Sequence, residues 1–387
     1  MKKILALAVI SLLAGRLMAA DFSPATQKML EAKTWYFEQA VHPETRLIYQ
    51  NIDLNDPDHW KKTVFPTPDS IRNRFCNDQE RPNVSNSDIS GGVFLGALVD
   101  SYDITKDPKC VEQARAVFAG LSKLAKISPR KGFVARSILP GDPTFAHLLN
   151  SSVDQYTFFV YAMYKYYHSP IASEAEKQDI RAMMNDICQM IMDDGTILAT
   201  NGIPAGVSDI EAIRSDRSSR MLEVYMVGWD VTGEQKWRDY YLEKVREANY
   251  GRLRSLLDPI KVKCPYFPRD KVENTPHMGT IWQTQYSLVP LVEVEPDVSL
   301  RAAYVEAMRL NARLCEENFT GSSQQMEIIL FAQNRSVLGD VKTPQDEETR
   351  KVMAERSQKF IAGGNERGGR GNHAVYWTAV KRGVLQP

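Results

Sequence analysis

The chain has 387 residues, and its 48 lysines and arginines balance its 48 aspartates and glutamates, so it carries no net charge. Without a long-range field to recruit nucleic acid or an anionic membrane surface, neutral ligands are the expected partners. The five cysteines, Cys76, Cys110, Cys188, Cys264 and Cys315, show no C-x-x-C spacing, which argues against a zinc site and a dense disulfide framework; no metal or cofactor is expected.

The chain opens with a cationic MKK, an apolar stretch from Ile4 to Gly15, and then Arg16-Leu-Met-Ala-Ala. That pattern predicts a secretory signal over residues 1–20, about half the length a membrane-spanning helix needs, with a mature chain from near Asp21. No cysteine follows to accept a lipid. No later segment is apolar for long enough to cross a bilayer, so the expected product is secreted or periplasmic, with no membrane contact after cleavage.

From residue 21 to 387 the pattern is helical and fits a single domain. Apolar residues along 92–102, 157–167, 219–229 and 281–292 recur at spacings of three and four, and no strand-like alternation persists. Two stretches resemble each other closely: LVDSYDITKDPKCVEQARAVFAGL from Leu98 and MVGWDVTGEQKWRDYYLEKVREAN from Met226. Each reads as a helix ending in an aromatic, a T-K-D or T-G-E turn, and a second amphipathic helix, which is an αα-hairpin. A third copy turns at Tyr167-His168-Ser169-Pro170, and a fourth begins at Val292. The equivalent positions Tyr102, Tyr167, Trp229 and Val292 are 65, 62 and 63 residues apart, a repeat of hairpin plus connecting loop.

Two shorter copies follow, from Ser322 (with a partner over Glu347 to Phe360) and from Gly371. The last copy lacks a following helix, and the helix near Pro24 to Ala40 lacks a preceding one. Pairing these two closes a ring of six hairpins, an all-α (α/α)6 toroid; an open solenoid is the alternative. The loop from Gln50 to Ser85, which carries Trp60, is long enough to suggest a functional role. The glycine-rich run GGNERGGRGNH from Gly363 has no phosphate-loop spacing and is expected to be non-helical, a flap carrying Arg367 and Arg370.

In such a ring the inner helices run parallel and their N-termini meet at one mouth. Asp88 precedes Tyr102 by 14 residues, Asp154 precedes Tyr167 by 13, and Asp216 precedes Trp229 by 13. Three successive inner helices are therefore expected to start with an aspartate in nearly the same phase. Aspartates can serve as helix caps, and Ser152 with Gln155, or Ser151 with Asp154, has a capping-box pattern. Two carboxylates in one low-dielectric cleft do not ionise independently, however: one pKa rises and that group can keep a proton near neutral pH, while the helix N-terminus favours the charged form. An acid beside a base is what glycosidic chemistry requires.

The segment DISGGVFLGALVDSYDITKD from Asp88, with KGFVARSILPGDP and SSVDQYTFFVYAMYKYY, resembles the unsaturated glucuronyl and rhamnogalacturonyl hydrolases of the six-hairpin glycosidase superfamily. The likeness covers roughly residues 85 to 235. It implies that Asp88 and Asp154 match the family's two active-site aspartates, with Asp154 as general acid and base. In that family the group protonates the 4,5-double bond of an unsaturated uronic acid and helps water add beside it. Ser87 stands where the family has a histidine, and the family's W-x-R-G-x-x-W is represented only by SDRSSRMLEVYMVGW.

Further candidates for substrate contact are Arg217 and Arg220, which can hold a sugar carboxylate, and Asp216 beside them. His147, Tyr156, Trp282, Gln283 and His373 complete the candidate set, with Gln285, Gln324, Gln325 and His277 as lesser members. The function expected is an exported glycoside hydrolase acting on uronic-acid-containing oligosaccharides. The alternatives are a polysaccharide lyase, in which Tyr156 or His147 abstracts a proton, and a non-catalytic carbohydrate-binding toroid. The sequence leaves the oligomeric state open.

Overall fold

A computed structural model describes residues 22–73, 84–200, 209–258, 278–333, 344–362 and 370–387. Twelve helices of nine residues or more follow one another there, and two short helical turns, His59–Lys62 and Pro68–Asn73, lie in the loop after the first. The twelve are α1 (Pro24–Ala40), α2 (Ser87–Thr105), α3 (Pro108–Lys126), α4 (Val153–Tyr167), α5 (Glu174–Asp194) and α6 (Ser218–Thr232), then α7 (Gln235–Leu256), α8 (Met278–Val294), α9 (Val298–Glu317), α10 (Ser323–Phe331), α11 (Pro344–Ala362) and α12 (Arg370–Lys381). No strand forms among the described residues, only isolated bridges at Val41–Ile48 and Ile138–His147.

The even-numbered helices form the inner ring, packing in the order α2, α4, α6, α8, α10, α12 and back to α2. The contact of α12 with α2 closes the circle, and α1 packs on α12 as the sixth pair, so the architecture is an (α/α)6 toroid rather than an open solenoid. Helices α2, α4, α6 and α8 are buried nearly all round, as walls on every side require. An outer helix such as α5 buries one stripe, Ile180, Met183, Met184, Ile187 and Ile191.

The repeated turns are built alike. Lys106 after α2 and Gly233 after α6 both adopt left-handed backbone, with φ of 55° and 72°. Their N–H groups donate to the carbonyls of Tyr102 and Trp229, each at 2.8 Å. After α2 the next helix starts at once, because Asp107 caps α3 through the Lys109 N–H. The third turn is longer and ends in a capping box of Ser173 and Glu176 at the head of α5.

Glycines set the closest approach in the inner ring. A Cβ on Gly92 of α2 would lie 2.5 Å from the Phe158 carbonyl oxygen of α4, and one on Gly96 would lie 2.8 Å from the Tyr161 ring. One turn beyond the helix starts, the ring axis is filled by aromatic side chains. Phe158 meets Trp282 and Tyr286 at ring-centroid distances of 4.5 and 4.8 Å, Tyr161 meets Tyr286 at 4.7 Å, and Tyr286 meets Phe331 at 4.9 Å. The inner helices are thus joined beyond their first turns by a packed aromatic plug.

One expectation needs adjusting. Arg370 to His373 of the glycine-rich run are helical, because the first turn of α12 packs against α10, with Gly371 beside Ser323; residues 363–369 lie outside the described residues. The part of the long loop around His59 and Trp60 docks on the body, with His59 bonded to the Gln39 carbonyl at 2.8 Å and Trp60 against His42 at 4.8 Å. Cys110, Cys188 and Cys315 are buried free thiols. Cys76, Cys264 and the predicted signal lie outside the described residues, and no described helix is long and apolar enough to cross a membrane.

Candidate active site

The mouth is assembled around Arg136, in the loop that returns from α3 to α4. Its guanidinium donates to the Ser85 carbonyl at 2.8 Å, the Asn86 side-chain oxygen at 3.1 Å and the Ser152 hydroxyl at 2.9 Å. Those residues head α2 and α4, so one buried cation stitches two helix starts together. The Ser87 N–H donates to the Arg136 carbonyl at 3.0 Å, Ser87 and Ser137 share a hydroxyl contact at 2.8 Å, and the Gln155 amide donates to Asn86 at 2.8 Å. Asp88 and Asp154 are each the second residue of their helix and lie on either side of this clasp.

The two carboxyls have different surroundings. Asp88 is 0% exposed, and neither of its oxygens accepts a hydrogen bond from another residue. Burial raises its pKa well above the usual carboxylate range; the Arg136 charge pulls it back in part, while the Asp154 carboxylate pushes it up again. Asp154 is only partly buried and accepts hydrogen bonds from the Ser152 hydroxyl and from the Gln155 N–H at 3.1 Å. Asp154 thus satisfies one first-turn N–H, whereas Asp88 accepts nothing from another residue. Asn86 and Ser152 are the N-caps, yet neither makes a side-chain cap bond, and the Ser151 hydroxyl has no partner.

The third corner departs from the expected phase. Helix α6 begins at Ser218, so Asp216 lies outside it, before the N-cap Arg217. A preceding turn closed by the Arg214 carbonyl delays the helix start. Asp216 is gripped by Arg214 through two bonds of 2.9 and 2.8 Å and lies 3.6 Å from Arg217. Behind this loop the fully buried Arg252 donates to the Glu211 carbonyl at 2.6 Å and to Glu247 at 2.8 Å. It thereby steadies the segment that carries Asp216.

Arg217 and Arg220 are both buried, and the Nε of each has no hydrogen-bond partner. One terminal nitrogen of Arg220 donates to the Thr280 carbonyl of α8 at 3.3 Å. Its pKa is lowered to about 10 by burial and by the Arg217 charge, against the pull of Asp216, Asp154 and Glu223. Helices α4 and α6 pack side by side, so Arg217 and Arg220 at the start of α6 neighbour the start of α4 that carries Asp154. One turn along α6, Glu223 is fully buried with neither oxygen hydrogen-bonded, and burial raises its pKa well above the carboxylate range, with only Arg220 opposing.

The other candidates divide. Tyr156 is fully buried, and its hydroxyl donates to the Gly132 carbonyl at 2.9 Å and accepts from the Val134 N–H at 3.0 Å, so it is committed to loop structure. His147 lies on the same loop, with its ring nitrogens near the Phe145 carbonyl at 3.1 Å and Thr200 at 3.4 Å. His373 is wedged between Tyr36 and Phe94, and burial lowers its pKa to about 3, which leaves it neutral. Trp282 donates to Glu327 at 2.7 Å and Tyr286 to the same oxygen at 2.5 Å. Gln283 is half-buried, whereas Gln285 bridges the Ile328 carbonyl and Asn311, and Gln325 caps α10, where Gln324 is half-buried. His277 and Arg367 lie outside the described residues.

Sequence reasoning missed Arg136, Glu223 and Glu327. The last two had a signal, since each is an acid inside an apolar inner-helix run, MLEVYMVGW and QQMEIILFAQ.

No family model matches the chain, and no curated protein matches it in sequence. Solved structures do match in fold. The Lin0763 protein of Listeria innocua aligns at a TM-score of 0.54 and 7% identity, over 93% of this chain and 97% of its own. The family 76 glycoside hydrolase (mannosidase) Bt3792 of Bacteroides thetaiotaomicron aligns at 0.54 and 10% identity, over 93% and 98%. The chain has the α/α six-hairpin fold found in glycosidases.

Proposed function

We propose that the protein is an exported glycoside hydrolase acting on uronic-acid-containing oligosaccharides, with unsaturated uronides as the favoured class. The observation that carries this reading is the unequal carboxyl pair at the helix starts: Asp88 is fully buried without a hydrogen bond from another residue, and burial pushes its pKa well above the usual carboxylate range, whereas Asp154 is partly exposed. Asp154 is the member that solvent and substrate reach, so it acts as general acid and base. On a 4,5-unsaturated uronide the protonated form of Asp154 adds its proton to C4; water adds at C5 and returns a proton to Asp154, and the resulting C5 hemiketal opens to a C1 hemiacetal that releases the neighbouring sugar. Arg217 and Arg220 supply positive charge for the uronate carboxylate. The commitment of Tyr156 to backbone groups counts against a lyase that uses it as base. The signal-like residues 1–20 support export.

The test is a substrate panel: unsaturated disaccharides from pectin, heparin and chondroitin, with saturated uronides and mannosides alongside. Loss of the double-bond absorbance on one or more unsaturated members is expected. A flat trace on these with saturated uronides also uncleaved overturns the proposal, and cleavage of mannosides alone replaces the uronate with a neutral sugar.

A further inference from the structure

Away from the mouth, one lysine and one thiol meet in the protein interior. Lys33 of α1 is 1% exposed, and its Nζ lies 2.8 Å from Cys110 Sγ of α3 and 3.0 Å from Asp107 Oδ2. Cys110 is fully buried, with Ser101 Oγ at 3.4 Å and Asp107 Oδ2 at 3.9 Å as its other polar neighbours. A buried ammonium needs strong acceptors, and a thiol is a weak one. Asp107 meets that need, and the same nitrogen also stands in closer contact with sulfur, which puts an amine, a thiol and a carboxylate together in the interior.

We propose that Lys33 and Cys110 are a modification site, at which dioxygen converts the contact into a reversible covalent N–O–S cross-link. Asp107, which is partly exposed, relays the ammonium proton to solvent and leaves a neutral amine. Amine, thiol and one O2 then give –NH–O–S– and one water: one N–H, the S–H and the O–O bond break, while N–O, O–S and two O–H bonds form. Nitrogen and sulfur each lose two electrons, and dioxygen gains four. The 2.8 Å separation is what a single bridging atom spans without moving either side chain. A direct N–S bond, the product of sulfenic acid condensation, would require the two groups to close further. The link would tie α1, the helix that completes the sixth pair, to the α2–α3 hairpin across 77 residues of chain. Such a staple restricts the unfolded chain.

The wild-type protein, purified in air, is weighed intact under denaturing conditions before and after treatment with a thiol reductant. The expected non-reduced species is heavier by one oxygen and lighter by two hydrogens, its Lys33 and Cys110 peptides are joined, and reductant reverses both. The thermal midpoint is expected to fall on reduction in wild type but not in Cys110→Ser, and Lys33→Arg is expected to abolish the mass change. Equal masses for air-exposed and reduced wild type, or an oxidised Cys110 unlinked to Lys33, overturn the proposal without reliance on any variant.

Discussion

Replacing Asp88 with asparagine separates the energetic cost of the site from its use. The side chain is fully buried without a hydrogen bond from any other residue, and its pKa is raised above the ordinary carboxylate range by burial and by Asp154. A carboxyl of this kind stays protonated in the folded protein at pH values where the unfolded chain has already released the proton. Stability is therefore full at and below the ordinary carboxylate pKa and falls as pH rises toward the folded value, by about 1.4 kcal/mol per pH unit for one proton. Asparagine is nearly the same shape and does not titrate. The stability difference, Asp88→Asn minus wild type, is expected to be small near pH 4 and to grow in the variant's favour at about that slope. Urea titrations at intervals from pH 4 to 7 measure it, and Glu223 titrates in both proteins and cancels. Turnover is expected to fall in the same variant, because the carboxyl pair is broken. Parallel stability profiles across the range would show that Asp88 is ionised in the fold and would refute the proton-holding pair.

Three further outcomes test the surrounding structure. Tyr156→Phe removes the hydroxyl that serves Gly132 and Val134, so it is expected to cost about 1–3 kcal/mol by urea denaturation while kcat stays within a few-fold; a collapse of kcat in a stable protein would return Tyr156 to the chemistry. Gly92→Ala places a methyl 2.5 Å from a backbone oxygen of α4 and is expected to cost about 1–3 kcal/mol; a neutral result would mean that α2 and α4 separate easily. Glu295→Ala strands the buried Arg238, held at 2.6 and 3.0 Å, together with the Tyr241 hydroxyl, an expected loss of about 3–5 kcal/mol.

The ring was legible because its signals are local. The period of about 63 residues comes from burying one hairpin against the next, and the turns after Tyr102 and Trp229 close with the same bond in the same place. Ring closure also followed from two unpaired terminal helices. Asp88 and Asp154 stood out because acids head two apolar helices in one phase. What remained hidden depends on register between helices distant in sequence. Arg136 gains its role only because Gly92 and Gly96 let α2 and α4 approach until their starts share one guanidinium. Tyr156 looked available until its hydroxyl met loop backbone more than 20 residues earlier. Asp216 was counted into α6 because spacing from Trp229 cannot register the extra turn at Arg214. Glu223 and Glu327 were passed over because nothing in a single helix shows whether a lone acid faces a ring interior or a partner.

The most direct measurement compares wild type with Asp154→Asn on whichever unsaturated uronyl disaccharide the panel identifies, following loss of the double bond under saturating substrate. The account predicts that turnover falls by about 10²–10⁴-fold, while the circular dichroism spectrum and urea midpoint stay close to wild type. An Asp154→Asn protein that turns over the same substrate at the wild-type rate would contradict it.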